Sequence, residues 1–115
     1  MEYTGSCHCG KVRYTVAGEI GEVTECNCSI CRRRGYLLWF VPRKQLHLQT
    51  PDSDLCSYTF NTHRIRHRFC PTCGSAPFGE GADSMGNVMA AVNVRCLEDV
   101  DLAGLKVRHF DGRNL

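Results

Sequence analysis

Hydrophobic and polar residues alternate along much of the chain, which is typical of half-buried β-strands. The alternation is clearest over residues 11–16, 57–69 and 88–94, and Leu46 and Leu48 form a weaker set. Residues 107–110 are expected to form a last strand. A continuous apolar run at residues 36–41 predicts a strand covered on both faces. No segment keeps a 3.6-residue period over three turns. The sequence therefore predicts a mainly β chain with one or two helical turns.

Two polar segments complete this pattern. Arg64, Arg66 and Arg68 share one face of the segment 57–69, and we expect them to form the solvated side of a strand. The glycine-rich residues 79–86 are expected to form a mobile loop rather than a domain boundary.

Length and composition indicate one domain covering residues 1–115. Hydrophobic residues make up 43% of the chain and charged residues 23%, a balance that excludes intrinsic disorder. The longest apolar run, six residues, is too short to cross a bilayer. The first residues lack the basic and apolar regions of a secretory signal, so we expect a cytoplasmic protein. A net charge of +2 is too small to indicate a nucleic-acid partner.

Cysteine is the unusual component, with nine residues in 115. A secreted disulfide scaffold would need a signal sequence and usually an even number of cysteines, so thiolate-bound metal in a reducing compartment fits better. Seven thiolates with two Zn²⁺ ions would lower the formal charge by three, to −1. This further disfavours nucleic-acid binding. Cys56 and Cys96 stand apart from the others and are expected to be small buried apolar residues.

The most specific motif is Cys70-Pro71-Thr72-Cys73-Gly74, a metal-binding knuckle whose glycine suits the turn. A knuckle supplies two ligands, whereas structural zinc requires four. The pair in Cys7-His8-Cys9-Gly10 is the natural complement because it too is followed by glycine. We therefore predict a closed structural zinc site at Cys7, Cys9, Cys70 and Cys73.

A second cluster comprises Cys26, Cys28 and Cys31. A zinc ion held by three ligands keeps an open position, which is typical of reactive sites, and an all-thiolate site favours sulfur chemistry over hydrolysis. One alternative is a second structural site completed by a distant ligand. The candidates for that ligand are His8, His63, His67, Cys56 and Cys96. Another alternative is a redox pair formed by Cys28 and Cys31.

Residues 28–35 predict a helical turn closed by Gly35, with Cys28 at the end where the helix dipole favours a thiolate. The turn carries three consecutive arginines, Arg32, Arg33 and Arg34. Their charge lies next to the predicted anionic metal centre and could receive substrate carboxylates. Tyr36 is a candidate pocket residue beside Arg34.

These motifs together resemble a known family. The order C-x-C, C-x-C-x-x-C and C-x-x-C-G on a short β-rich chain resembles the glutathione-dependent formaldehyde-activating enzyme (GFA) family, which includes the domain of centromere protein V. The flanking residues Gly5, Ser6, Asn27, Phe69 and Ser75 agree as well. The similarity extends from about Gly5 to Phe110.

The resemblance implies an Mss4-like β-tent of small antiparallel sheets held by the four-cysteine structural zinc. It also implies a labile, catalytic zinc at Cys26, Cys28 and Cys31. The implied activity is that of a carbon–sulfur lyase or synthase, which joins formaldehyde to the thiol of its co-substrate glutathione and gives S-hydroxymethylglutathione. The alternative is a module whose fold is stabilised by zinc and which binds a protein or ligand without catalysis.

Overall fold

The computed structural model describes residues 1–114, which form ten β-strands, one α-helix and five short 3₁₀ turns. The strands are β1 (Glu2–Ser6), β2 (Arg13–Ala17), β3 (Glu22–Cys26), β4 (Leu38–Pro42), β5 (Leu46–Leu48), β6 (Cys56–Tyr58), β7 (Arg66–Phe69), β8 (Phe78–Ala82), β9 (Val88–Asn93) and β10 (Lys106–Phe110). The helix α1 covers Ser29–Arg34. The predicted mainly β class is confirmed. None of the helices in this part of the chain is long and apolar enough to cross a membrane.

The strands form two sheets. One has three strands in the order β1-β2-β5, and the other has seven in the order β10-β3-β4-β9-β8-β7-β6. Neighbouring strands are antiparallel except for β3 and β10, which run parallel. This parallel pair departs from the predicted all-antiparallel arrangement, and its register places Phe110 beside Cys26. The end of β10 is thereby brought to the second cysteine cluster.

The main core combines side chains from both sheets. Val12, Tyr14 and Val16 are fully buried, as their alternation predicts. The ring of Tyr14 packs edge-on against Phe78 at a centroid distance of 5.8 Å. A Cβ atom at Gly5 would lie 2.3 Å from that tyrosine ring, so only glycine fits on β1 at this position. The core thus ties the smaller sheet to the larger one.

A second, smaller cluster of buried residues lies beside the helix α1. Cys31, Tyr36, Leu38 and Ala76 form it, and partly buried apolar residues pack around them. Because Cys31 belongs to α1 and Leu38 to β4, this cluster fixes the helix against the larger sheet. It also determines where the second group of cysteines lies.

The expectation of a solvated arginine face is wrong for Arg68, whose side chain is only 3% exposed. Its guanidinium group donates to Glu80 at 2.9 Å and to Asp52 at 3.1 Å. Arg43 and Arg66 also donate to Glu80, which is 8% exposed. Arg68 is buried because a carboxylate on β8, which no local pattern reveals, neutralises its charge.

The expected loop at residues 79–86 is also wrong in its first half. Residues 79–82 belong to β8, which pairs with both β7 and β9. A Cβ atom at Gly81 would lie 3.1 Å from the carbonyl oxygen of Arg64, so a glycine there lets the strands approach closely. Only the second half is a turn, closed by Asp83, whose carboxylate accepts from the N–H groups of Met85 and Asn87.

The substitution Glu80→Gln is expected to destabilise the fold by about 3 kcal/mol, because it leaves the buried guanidinium of Arg68 with only the exposed Asp52 as a charged partner. Burial raises the pKa of Glu80, but the three guanidinium groups outweigh it and hold that pKa below its ordinary value. The carboxylate is therefore charged at pH 7, and its contribution is lost only as the pH falls through the lowered pKa. Urea unfolding at pH 7 measures the effect.

The matched control is Glu22→Gln, which breaks an exposed pair with Lys106 at 3.9 Å. Such surface pairs contribute about 0–1 kcal/mol. Equal urea midpoints for the two variants would show that the buried arginine–glutamate network does not stabilise the fold.

Candidate metal centres and the adjoining cavities

The first cysteine cluster joins two turns that are distant in sequence. Cys7 and Cys9 lie between β1 and β2, and Cys70 and Cys73 lie between β7 and β8. The four Sγ atoms all lie within 4.8 Å of one another. Cys9 Sγ is 3.6 Å from that of Cys7 and 3.7 Å from that of Cys70. Thiolates about 2.3 Å from a tetrahedral zinc ion lie about 3.8 Å apart, so this donor set fits zinc without rearrangement.

The backbone of these two turns is shaped so that N–H groups point at the cysteine sulfur atoms. Gly10 and Gly74 adopt positive φ values of 82° and 81°, which favour glycine. The N–H of Val12 points at Cys7 Sγ at 3.3 Å. The hydroxyl and N–H of Ser75, followed by a further backbone N–H, lower the pKa of Cys73 to about 5. Cys73 therefore favours the charged thiolate form that binds a metal.

The second cluster is built by the start of α1. Cys26 ends β3, Cys28 is the N-cap residue of the helix, and Cys31 lies in its first turn. Their Sγ atoms also lie within 4.8 Å of one another. The helix ends at Gly35, whose left-handed conformation (φ 68°) lets its N–H donate to the carbonyl of Cys31 at 2.9 Å. The predicted glycine-closed helical turn is confirmed.

Cys28 and Cys31 differ in acidity. Burial opposes ionisation of Cys28, but the N–H groups of Cys31 and Ile30 and the neighbouring thiols outweigh it and lower the pKa of Cys28. Burial, followed by the proximity of Cys28, raises the pKa of Cys31. Cys28 thus loses its proton more readily than Cys31, at the helix end where a negative charge is favoured.

No fourth ligand completes this cluster within residues 1–114, because no other His, Cys, Asp or Glu joins the three sulfur atoms. The five residues named as candidates for a fourth ligand are not among these sulfur atoms' neighbours. His8 is beside the first cluster, where its N–H donates to Ser75, and His63 is exposed and bonded to Thr59. His67 is buried on β7. Cys56 is exposed, contrary to its expected burial, and Cys96 is half-buried near Asn93.

An apolar cavity of about 220 Å³ opens beside the three cysteines. Side chains from the helix, the larger sheet and the connection between β6 and β7 form its wall, among them Ile30, Leu38, Phe60, Ile65, Phe110 and His67. The imidazole of His67 is stacked between the rings of Tyr36 and Phe60, at centroid distances of 6.2 and 5.6 Å. Phe40, expected inside a strand covered on both faces, is instead 53% exposed and also lines this cavity.

A separate polar cleft of about 210 Å³ adjoins two of the same cysteines. It shares Cys26, Cys31 and Tyr36 with the apolar cavity. The rest of its wall is charged or hydrogen-bonding and comprises Glu25, Asn27, Arg32, Gly35 and Arg95. Arg95 is held in place by donating from Nε to the carbonyl of Gly35 at 3.0 Å.

Comparison with known proteins identifies the family. The model of the family described as glutathione-dependent formaldehyde-activating enzyme matches residues 2–110. The chain belongs to the GFA family. It is also similar to a crystal structure of a protein from Rhodobacter sphaeroides, with 30% sequence identity, a TM-score of 0.80, and coverage of 96% of this chain and 100% of that one. Both the cysteine motifs and the fold thus agree with the resemblance drawn from the sequence.

In this GFA chain the three consecutive arginines do not act as one patch. Arg32 lines the polar cleft, whereas Arg33 and Arg34 line an outer groove of about 460 Å³ with Tyr58 and Phe60. Arg34 donates to the hydroxyl of Tyr36 at 2.9 Å, as its predicted position beside that residue implies. Helical geometry causes the separation, since successive residues of a helix point about 100° apart.

Sequence reasoning did not single out Arg95 or Glu25 as site residues. Arg95 follows β9 in a 3₁₀ turn, sixty residues from the glycine whose carbonyl it contacts. Its neighbours in sequence carry no ligand motif, so no local pattern could have indicated it. Glu25 directly precedes Cys26, and its outward position on β3 follows from the strand alternation that the sequence shows only weakly.

Proposed function

We propose that this chain is a zinc-dependent carbon–sulfur lyase or synthase that joins a glutathione-type thiol to formaldehyde, giving S-hydroxymethylglutathione, and reverses that reaction. The observation that carries the proposal is the convergence of three thiols, with no fourth ligand among the described residues, between two cavities. The family description, which names glutathione and formaldehyde, supports the same chemistry.

Two zinc ions belong to this proposal. Cys7, Cys9, Cys70 and Cys73 would hold a structural ion, because four thiols form a closed tetrahedral set. Cys26, Cys28 and Cys31 would hold a labile ion, since three ligands leave a position open. An ion bound there would keep an incoming thiol as a reactive thiolate. All nine cysteines are free thiols, which suits a reducing compartment such as the cytoplasm.

The arginines would orient the thiol substrate. Glutathione carries two carboxylates and one ammonium group. Arg32 and Arg95 can pair with one carboxylate in the polar cleft, and Glu25 in the same cleft can pair with the ammonium group. Arg33 and Arg34 can receive the second carboxylate in the outer groove. This arrangement would direct the substrate sulfur toward the three cysteines.

The reaction needs no oxidant or reductant. The thiol sulfur forms a bond to the carbonyl carbon, the carbon–oxygen double bond becomes single, and the thiol proton ends on the oxygen. Orientation is the main contribution expected from this chain, because holding the two reactants together removes much of the entropic barrier.

Because the adduct also forms spontaneously, the test is the rate of exchange at equilibrium. Nuclear magnetic resonance exchange measurements on glutathione, formaldehyde and their adduct should show faster exchange with the zinc-loaded protein than in buffer. Cys56→Ser should match the wild type, because Cys56 is exposed and outside both clusters. Exchange at the buffer rate with the zinc-loaded wild type would refute the proposed activity.

A further inference from the structure

Two cavities of similar size and opposite character adjoin the three-cysteine cluster. The polar cleft, about 210 Å³, carries Glu25, Arg32 and Arg95, whereas no Asp, Glu, Lys or Arg lines the apolar cavity of about 220 Å³. Cys26, Cys31 and Tyr36 belong to both walls. A substrate whose reacting sulfur lies at the cysteines can therefore extend a polar group to one side and an apolar group to the other.

The apolar cavity is too large for formaldehyde alone. Formaldehyde has only two non-hydrogen atoms, whereas cavities for drug-sized ligands span about 300–1,000 Å³. At about 220 Å³ this cavity falls just below that range, which suits a single ring or a branched alkyl group. Its aromatic and aliphatic wall favours an apolar occupant, and placing a charged group there without a partner would be costly.

The imidazole of His67 does not add a charge to the wall of the apolar cavity. His67 lies flat between the rings of Tyr36 and Phe60 and is 9% exposed. Burial, with a smaller contribution from the nearby Arg34, lowers the pKa of His67, so the ring is neutral at pH 7. The wall of the cavity therefore carries no formal charge from a histidine at neutral pH.

We propose that the carbonyl substrate of this chain includes aldehydes with an apolar, ring-sized side group, so that its adducts are hemithioacetals of aromatic or branched aliphatic aldehydes. The polar head of the thiol occupies the cleft of Glu25, Arg32 and Arg95, and the aldehyde side group occupies the apolar cavity. The inference rests on the proposed function and extends its substrate class. The atoms balance as they do for formaldehyde, since the S–H bond adds across the carbonyl group.

Gly79 offers a direct way to reduce the apolar cavity. A Cβ atom there would lie 3.9 Å from Nδ1 of His67 and 3.7 Å from Ile65, both ordinary contacts, and the residue requires no positive φ. Gly79→Ala should therefore fold normally while adding a methyl group to the cavity wall. Gly21→Ala is the matched control, because a Cβ atom there meets no atom within 4 Å.

The test compares S-methylglutathione and S-benzylglutathione, two stable thioethers, by titration calorimetry with the zinc-loaded full chain. Burial of the benzyl ring should make the second ligand bind at least about tenfold more tightly. Gly79→Ala should lower this ratio, and Gly21→Ala should retain it. Binding is the readout, so the result does not depend on turnover.

Equal affinities for the two ligands, or an unchanged ratio in Gly79→Ala, would overturn the inference about the aldehyde side group. The proposed function would survive that result if the exchange of the formaldehyde adduct were still accelerated. If neither thioether bound, the inference would also be overturned, and the exchange measurement would show separately whether the proposed function fails with it.

Discussion

Replacing Cys70 with serine is expected to unfold the domain at room temperature. Cys70 is fully buried and belongs to the four-cysteine cluster that joins the turn after β1 to the turn after β7. Binding of structural zinc contributes about 10–16 kcal/mol in small metal-dependent domains. Because whole domains are stable by only about 5–15 kcal/mol, losing the ion should remove most or all of the folding free energy.

Circular dichroism, urea unfolding and zinc content measure this result together. Cys70→Ser should lose the cooperative transition and should retain no zinc at the first cluster. Cys56→Ser is the matched control, since it makes the same chemical change at an exposed position on β6. A cooperative transition of Cys70→Ser at the wild-type midpoint would contradict a structural metal at these four cysteines.

The substitution Cys28→Ser is expected to abolish activity while leaving the fold intact. The variant removes one of three ligands, so zinc affinity at the second cluster should fall by more than about 100-fold, the upper range for losing a group that only hydrogen-bonds to a ligand. Cys28 makes no side-chain capping bond at the start of α1, and serine is a favoured N-cap residue. With no zinc at the second cluster of either protein, the free energy of unfolding should therefore change by no more than about 1 kcal/mol.

Zinc analysis should find one ion per chain in Cys28→Ser, and the exchange of the formaldehyde adduct should return to the buffer rate. Urea unfolding, with both proteins first stripped of the second ion by a mild chelator, should give a midpoint close to that of the wild type. The opposite pattern, with activity retained and one zinc still bound at the second cluster, would show that Cys28 is not a ligand of a catalytic ion.

Local sequence patterns predicted the elements whose determinants are close in sequence. Val12, Tyr14 and Val16 alternate in the sequence and are fully buried in the structure. The helix at Ser29–Arg34 ends at a glycine that adopts the left-handed conformation, as its position implies. Both cysteine clusters were grouped correctly because metal ligands follow short, characteristic spacings.

The missed features depend on pairings between distant strands. Arg68 is buried because β7 pairs with β8 and meets Glu80, twelve residues away. Phe110 reaches the cavity through the parallel pairing of β10 with β3. An alternating pattern indicates that a strand has two faces, but it does not indicate which strand lies beside it or which groups meet across the sheet.

Zinc content per chain, measured before and after brief exposure to a mild chelator, with and without glutathione, distinguishes an open three-cysteine site from a closed one. We expect two ions that fall to one, with glutathione altering the loss, because the open three-cysteine site exchanges its ion and binds the thiol. Two ions that resist the chelator and are indifferent to glutathione would contradict the account. That result would mean a second structural site and would favour a zinc-stapled binding module.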